Sequence, residues 1–77
     1  MPGLWTLEQR RILINKINLA IRNATAKDIA VSQKKLYYVV AMEDGLSEKK
    51  FNEYIDFLVG GNFIKKDGDT LIANMEV

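Results

Sequence analysis

Cysteine and histidine are absent from the sequence, and it contains a single proline. Without cysteine or histidine, the chain can form neither a disulfide nor a zinc site of the Cys/His type. A chain of 77 residues must then be stabilised by a densely packed apolar core or by a partner subunit, and the hydrophobic fraction of 48% is compatible with either. We expect one domain over residues 1–77 with low stability, because chains this short bury only about 60% of their unfolded surface.

Long apolar runs and a strong charge of one sign are also missing. No stretch reaches the roughly 18 apolar residues that a membrane span needs. The first residues, MPGLW, contain neither a basic region nor a cleavable apolar segment, so we predict a cytoplasmic protein without a membrane partner. The net charge is only +1, whereas domains that coat nucleic acid without selectivity are usually more basic. Any nucleic-acid contact must therefore depend on where the charges lie.

The residue patterns of common catalytic sites are likewise absent. The sequence has no histidine, no cysteine, no glycine-rich phosphate loop and no acid pair with a clear pocket to hold it. Asp67 and Asp69 flank a glycine, and turn chemistry explains them better than metal binding. We therefore predict no enzyme activity, no cofactor, no metal and no small-molecule ligand.

The first amphipathic segment begins at a capping box. Thr6 and Gln9 have the required spacing of a hydroxyl and an amide side chain. The apolar side chains that follow share an arc of roughly 140° at about 100° per residue, which predicts a helix over about residues 7–23. The run 29–31 that comes next fits a short strand or the start of another helix. The expected core stripe of the first helix is Leu7, Leu13, Ile14, Ile17, Ala20 and Ile21.

Two serines predict the starts of two further helices. Ser32 suits the N-cap of a helix from Gln33 to Glu43, and Gly45 suits a left-handed cap at its end. Ser47 begins a third helix, which residues 60–62 end. Its apolar side chains recur every three or four residues, so one face is expected to be buried. This stripe is Phe51, Ile55 and Leu58, with Tyr54 beside it.

The last part of the chain has the alternating pattern of strands. Residues 63–66 and 70–73 are strand-like runs, and an Asp-Gly-Asp segment separates them. Asp-Gly between two such runs is among the strongest short-range hairpin signals. A two-residue turn at positions 67–68 would pair Lys66 with Asp69. The predicted fold class is therefore α+β, with three helices followed by a C-terminal two-stranded β-hairpin.

Three stretches of the sequence carry a resemblance to a known family: Lys35-Leu36-Tyr37-Tyr38, Gly45 to Ile55 and Asn62-Phe63-Ile64. They are similar to archaeal winged helix-turn-helix DNA-binding domains. These domains have a leucine-serine start to the recognition helix, a later tyrosine-leucine pair and a glycine-leucine-isoleucine approach to the wing. The resemblance covers about residues 10–75, although Asn62 replaces the usual glycine before the wing and a Gly-Gly pair loosens the end of the recognition helix.

The resemblance implies a small transcription regulator of archaea or their viruses, with a recognition helix over about residues 47–60 and a wing over about 63–75. The start of a recognition helix enters the major groove, where Lys, Asn and Glu side chains can bind base edges. The preceding helix crosses the backbone, where its N-terminus and side chains can meet phosphate. The candidate DNA contacts are Ser47, Lys49, Lys50, Asn52 and Glu53 on the third helix, Lys34, Lys35 and Tyr37 on the second, and Lys65 and Lys66 on the wing.

Each of these sets also has an ordinary structural explanation. The polar residues of the third helix also suit a solvated helix face, and tyrosines often border a core with the hydroxyl in water. The wing lysines also suit an edge strand that must not pair with another chain. The leading hypothesis is sequence-selective binding of double-stranded DNA. The alternative is a winged helix that serves as a protein-interaction module in a larger complex, which the near-neutral charge and the acidic residues of the third helix favour.

A second apolar stripe lies opposite the core stripe of the first helix. Ile12 and Leu19 are seven residues apart, and Trp5 lies another seven residues upstream. If the rest of the fold leaves this face open, it is an apolar patch that a second copy would bury. A homodimer would also match palindromic operators. The alternative is that the hairpin or the N-terminal residues cover the stripe.

Overall fold

The computed structural model describes the backbone of residues 2–75 and the side chains of residues 8–75. Three helices and a three-stranded antiparallel sheet confirm the α+β class. No helix within the described backbone is long and apolar enough to cross a membrane. The elements follow one another as α1 (Pro2–Ala26), β1 (Val31–Ser32), α2 (Gln33–Asp44), α3 (Glu48–Gly60), β2 (Ile64–Asp67) and β3 (Thr70–Ala73).

Helix α1 is longer at both ends than the predicted span of residues 7–23. It begins at Pro2, and proline suits a first helical position because the N–H that it lacks would have no partner there. The start expected at the capping box is therefore wrong. Leu13, Ile17 and Ile21 of the expected stripe are buried and Ile14 packs against them, whereas Ala20 is exposed. The side chain of Leu7 lies outside the described residues.

The caps of α2 and α3 match the predictions. The Ser32 side chain accepts a hydrogen bond from the backbone N–H of Lys35, and Ser47 accepts one from Lys50. Gly45 adopts the left-handed conformation at φ 66° and donates its N–H to the carbonyl of Ala41. These local signals fix where both helices begin, and they leave only residues 45–47 between them.

The sheet has the order β1-β3-β2, so β3 is its central strand. Of the run 29–31, only Val31 lies in a strand, where it pairs with Leu71, and residues 29 and 30 belong to neither a strand nor a helix. The hairpin is confirmed, but Asp67 pairs with Thr70, so its turn lies one residue later than predicted. A turn at 67–68 would place Asp67 at positive φ, whereas the observed turn starts with Gly68 at φ 61°.

The core lies between the sheet and the inner faces of α1 and α3. Phe51, Ile55 and Leu58 are buried as predicted, with Tyr54 beside them. Helix α2 contributes Val40, while its other apolar residues Val39 and Met42 are exposed. The two tyrosines of α2 differ: Tyr37 packs on the core with its ring 5.5 Å from that of Phe51, and Tyr38 is exposed.

Thr25 joins the end of α1 to the central strand. Its Oγ1 donates a hydrogen bond to the carbonyl of Ile21 at 2.9 Å and accepts one from the backbone N–H of Ala73 at 3.0 Å.

Asn62 adopts φ 66°, so the residue in place of the usual glycine does take the left-handed conformation, which asparagine tolerates. The hairpin is thus held at its open end by α1 and by the turn after α3.

Candidate nucleic-acid interface

The outer face of α3 is a polar stripe. Because the buried stripe occupies one side of the helix, the opposite side carries the exposed residues Lys49, Asn52, Glu53 and Asp56. Lys50 stands beside it, and its Nζ lies 3.7 Å from a carboxylate oxygen of Glu53. All five predicted α3 residues, Ser47 included, are therefore exposed, although the oxygen of Ser47 already caps the helix.

A groove separates the first turns of α2 and α3 from the tip of the hairpin, and we call it the hairpin groove. It brings together four of the predicted DNA contacts, one or more from each of the three elements. Lys35 and Lys65 do not line it. The predicted residues in the hairpin groove are Lys34, Tyr37, Asn52 and Lys66.

The two hairpin lysines face opposite ways. Lys66 pairs across the strands with the buried Leu71, so it lies on the face of the sheet that meets α2 and α3. Lys65 pairs with the exposed Ile72 on the other face. This separation follows from the alternation of side chains along a strand. Only Lys66 is placed to act together with α3.

A residue that the sequence did not point to holds Asn52 in place. The amide Nε2 of Gln33, in the first turn of α2, donates a hydrogen bond to Oδ1 of Asn52 at 3.1 Å. Both side chains line the hairpin groove. The bond fixes the orientation of the Asn52 amide and leaves its Nδ2 group as a donor. A pre-oriented amide loses less conformational entropy when it binds a partner.

The turn of the hairpin caps α2 through Asp69. Its carbonyl oxygen accepts a hydrogen bond from the N–H of Gln33 at 2.7 Å, and its carboxylate accepts one from the N–H of Lys34 at 3.2 Å. The hydroxyl of Ser32 donates to the same carboxylate, while its oxygen accepts from Lys35. The first three N–H groups of α2 are thus all paired within the chain.

This cap changes one expectation about DNA contacts. The N-terminus of α2 was predicted to offer its N–H groups and positive dipole to a phosphate. The Asp69 carboxylate occupies that position, and its negative charge compensates the positive end of the helix dipole. The backbone of the first turn is therefore not a free anion site, and the exposed side chains of Lys34 and Lys35 are the groups of this turn that can still meet an anion.

The second apolar stripe of α1 is open. The exposed fractions of Ile12 and Leu19 are 63% and 57%, and no described part of the chain covers them. The predicted third member, Trp5, has a side chain outside the described residues. The hairpin packs elsewhere, against β1 and α1 through β3. Cover by the hairpin is therefore wrong, and cover by the N-terminal residues falls on side chains outside the described residues.

Lys16 lies between Ile12 and Leu19 in the sequence of α1, and its side chain joins α1 to the end of α2. Its Nζ is 2.7 Å from a carboxylate oxygen of Glu43 and 2.9 Å from one of Asp44. The hydrogen bond to Glu43, followed by that to Asp44, raises the pKa of the Lys16 ammonium above its ordinary value. The two acidic residues at the end of α2 thus share one lysine of α1, and neither lines the hairpin groove.

The electrostatics of the hairpin groove are mixed. Lys34 and Lys66 line it together with the carboxylates of Glu48 and Asp69, and Asp69 is already bonded to α2. Among the side chains of residues 8–75, no three acidic groups gather as a metal ion would require. The two lysines and the amides of Gln33 and Asn52 are hydrogen-bond donors of this groove. No protein-family model, no curated protein and no solved structure matches the chain, so its function has to be argued from this geometry.

Proposed function

We propose that the protein is a winged helix-turn-helix domain that binds double-stranded DNA in a sequence-selective manner and regulates transcription. The order of elements, the three-residue link between α2 and α3 and the C-terminal hairpin all support this proposal. In it, α3 is the recognition helix and the β2–β3 hairpin is the wing. The observation that carries most weight is the hairpin groove, which an oriented Asn52 lines together with Lys34 and Lys66.

In the proposed complex the first two turns of α3 enter the major groove. Asn52 donates from its amide nitrogen to a base edge, and its oxygen, which keeps a second lone pair beside Gln33, accepts from the same base; adenine offers that pair of groups. Lys49 projects from the same face and reaches guanine acceptors or phosphate. Lys66 and Lys34 contact the backbone and set the register of α3.

The first test measures binding of fluorescent duplexes of random and genomic sequence by anisotropy at several salt concentrations. We expect the logarithm of the binding constant to fall linearly with the logarithm of salt. Lys66→Ala should lower the slope by about 0.9, the value for one phosphate contact. Lys65→Ala removes the same charge from the opposite face and is the matched control, so its slope should equal that of the parent.

Base recognition has a separate test. Asn52→Ala should cost about 1–3 kcal/mol on the preferred site and little on random duplex. Gln33→Ala keeps Asn52 but removes the hydrogen bond that orients it. We expect this variant to lose less binding free energy than Asn52→Ala and to keep the preference for the specific site. Equal losses on specific and random duplexes would assign Asn52 to the backbone and would remove the support for sequence selectivity.

We also propose that the protein acts as a homodimer through the open stripe of α1. Each large apolar side chain that becomes fully buried contributes about 1.5–3 kcal/mol, and a two-fold interface uses every residue twice. Leu19→Glu should therefore yield a folded monomer in sedimentation experiments. Met42→Glu is the control, since Met42 is 89% exposed on α2 and outside the stripe. A parent protein that stays monomeric at high concentration would exclude the dimer.

A protein-interaction module is the second candidate function. Glu53 and Asp56 are exposed on the outer face of α3 and would repel phosphate. If the parent binds no duplex even at low salt, DNA binding is excluded and this alternative is the one to pursue.

A further inference from the structure

A second groove borders α3 on the side away from the hairpin, and we call it the arginine groove. Arg10 and Arg11 of α1 line it together with Glu53, Tyr54 and Phe57 of α3. Residues 9 and 10 of α1 also lie beside the N-cap of α3 and Lys50. Arg10 therefore lies beside the first turn of α3, which is expected to enter the major groove, and both arginines lie beside its second and third turns.

The two grooves lie on different flanks of one helix. Asn52 lines the hairpin groove, and Phe57 lines the arginine groove. Five residues along an α-helix correspond to a rotation of about 140°, so these side chains leave α3 on well-separated sides. Lys49 and Asp56 lie on the exposed face between them. Basic side chains from α2 and the hairpin thus stand on one side of α3, and basic side chains from α1 stand on the other.

Neither arginine is used by the fold itself. Both are exposed, and within residues 8–75 neither makes an ion pair or a side-chain hydrogen bond. This differs from Lys16, which is engaged by two carboxylates. Glu53 could neutralise an arginine in this groove, but its carboxylate lies toward Lys50 at 3.7 Å. The two guanidinium groups are available to an external anion.

We propose that Arg10 and Arg11 form a second phosphate-contact site, on the DNA strand opposite to the one that Lys34 and Lys66 contact. This inference rests on the DNA binding proposed above. An α-helix with its side chains is about 10–12 Å across, and the major groove is about 12 Å wide, so a helix seated there nearly fills it. Groups on the two sides of the helix then lie next to the phosphate backbones of the two DNA strands, which border the groove. Guanidinium groups suit this role because they bind phosphate in a bidentate manner.

The same arrangement accommodates the acidic residues of α3 in two ways. Glu53 lines the arginine groove, with its carboxylate toward Lys50. Asp56 lies on the exposed face between the two basic flanks, and in the seated helix this face points to the floor of the groove. There a carboxylate meets base edges, where it can accept from cytosine, and not the phosphates. A net charge near zero is then compatible with DNA binding, because the positive groups stand where the phosphates run.

The test compares salt dependence in three variants with the parent on one random duplex. Arg10→Ala/Arg11→Ala should lower the slope by about 1.8, which corresponds to two phosphate contacts, and should weaken binding at 0.1 M salt by roughly tenfold to a hundredfold. Arg10→Lys/Arg11→Lys keeps the charge and should keep most of the slope. The control Lys27→Ala/Lys65→Ala also removes two charges, from the far end of α1 and the outer face of the hairpin, and should not change the slope.

Ethylation interference then locates the contacts on the duplex. With the parent, modified phosphates on both strands should interfere with binding, and the double arginine variant should lose the set on one strand only. Circular dichroism melts show whether the variants remain folded. If the parent binds DNA but the arginine variant keeps its slope and both phosphate sets, this inference is wrong and the arginine groove serves another partner. If the parent binds no duplex, the proposed function fails and this inference fails with it.

Discussion

Replacing Asp69 tests how the hairpin is fixed to the helices. In Asp69→Ala the N–H of Lys34 loses its acceptor and the hydroxyl of Ser32 loses its carboxylate partner. The backbone bond from Gln33 to the carbonyl of residue 69 remains possible, because the side chain takes no part in it. The change therefore removes two bonds between the turn and α2 and leaves one.

The expected cost follows from the positions of these bonds. Removing a side-chain acceptor at a helix N-terminus typically costs about 1 kcal/mol. A hydrogen bond to a charged acceptor contributes about 1.5–3 kcal/mol when shielded, but the Ser32 contact is exposed and contributes less. We expect a total loss of about 1–2 kcal/mol in the free energy of unfolding. For a domain of this size that corresponds to a fall in Tm of roughly 5–15 °C.

Urea unfolding followed by circular dichroism measures this loss directly. Asp67→Ala is the matched control, because it removes the same charge from the other end of the same turn, where the side chain is exposed and makes no described contact. Its effect should stay within about 0.5 kcal/mol. In Asp69→Asn the amide oxygen can still accept from Lys34, so the loss should be intermediate.

A double-mutant cycle with Ser32→Ala isolates the contact between the two side chains. A coupling energy of about 0.5 kcal/mol or more is expected for groups in direct contact. If Asp69→Ala were no less stable than Asp67→Ala, or if the cycle gave no coupling, the turn would not be a cap of α2. The account of how the hairpin is positioned beside α3 would then be wrong.

Three further changes test the packing, the backbone and the surface charges. Leu71→Ala should cost about 2–5 kcal/mol, because Leu71 is fully buried in the central strand, whereas Ile72→Ala on the exposed face should cost under about 1 kcal/mol; urea titration of both variants decides. Asn62→Val should lower the free energy of unfolding by about 1–2 kcal/mol, because a β-branched residue is strained in the left-handed conformation of this position. Asn62→Gly should lower it clearly less, and thermal melts of both variants measure the difference. Because the pKa of Lys16 is raised in the folded state, its stabilising effect is complete below the ordinary lysine pKa of 10.5 and is lost as the pH rises past the folded value. The stability difference between the parent and Lys16→Gln should therefore be constant near neutral pH and vanish in strongly alkaline solution.

The features predicted correctly from the sequence depend on near neighbours in the chain. Ser32 and Ser47 cap helices through N–H groups three residues away, so residue type and position suffice. The left-handed positions Gly45 and Asn62 follow from the identity of the residues themselves. The buried stripe of α3 follows from its period, because one side of that helix packs on the core.

The features that were missed depend on contacts between distant parts of the chain. Three residues could not indicate whether 29–31 formed a strand, because the partner Leu71 follows Val31 by 40 positions. The register of the hairpin was wrong by one residue, since Asp-Gly alone does not say which two residues form the turn. On α2, the pattern did not indicate which apolar residue would be buried; Val40 is buried, and this short helix packs little of its length on the core.

The candidate site was predicted in part for the same reason. Lys34, Tyr37, Asn52 and Lys66 were named from residue type and the expected topology, and they do meet in one groove. The groups that hold them were not found, because Gln33 and Asp69 act across elements. The one available signal was a glutamine at the first position of α2, whose side chain can reach a neighbouring helix.

The central position of β3 also decides when a newly made chain can fold. The β2–β3 hairpin is local, and hairpins of this kind form within about 1–10 μs. The pairing of Val31 with Leu71 and the packing of α1 on β3 must instead close long loops. At about 5–20 residues per second, a ribosome needs roughly 2–9 s to proceed from Ala26 to Ala73. During that time the apolar side of α1 has no strand to cover it, so we expect this protein to fold in one late step, after β3 has been made.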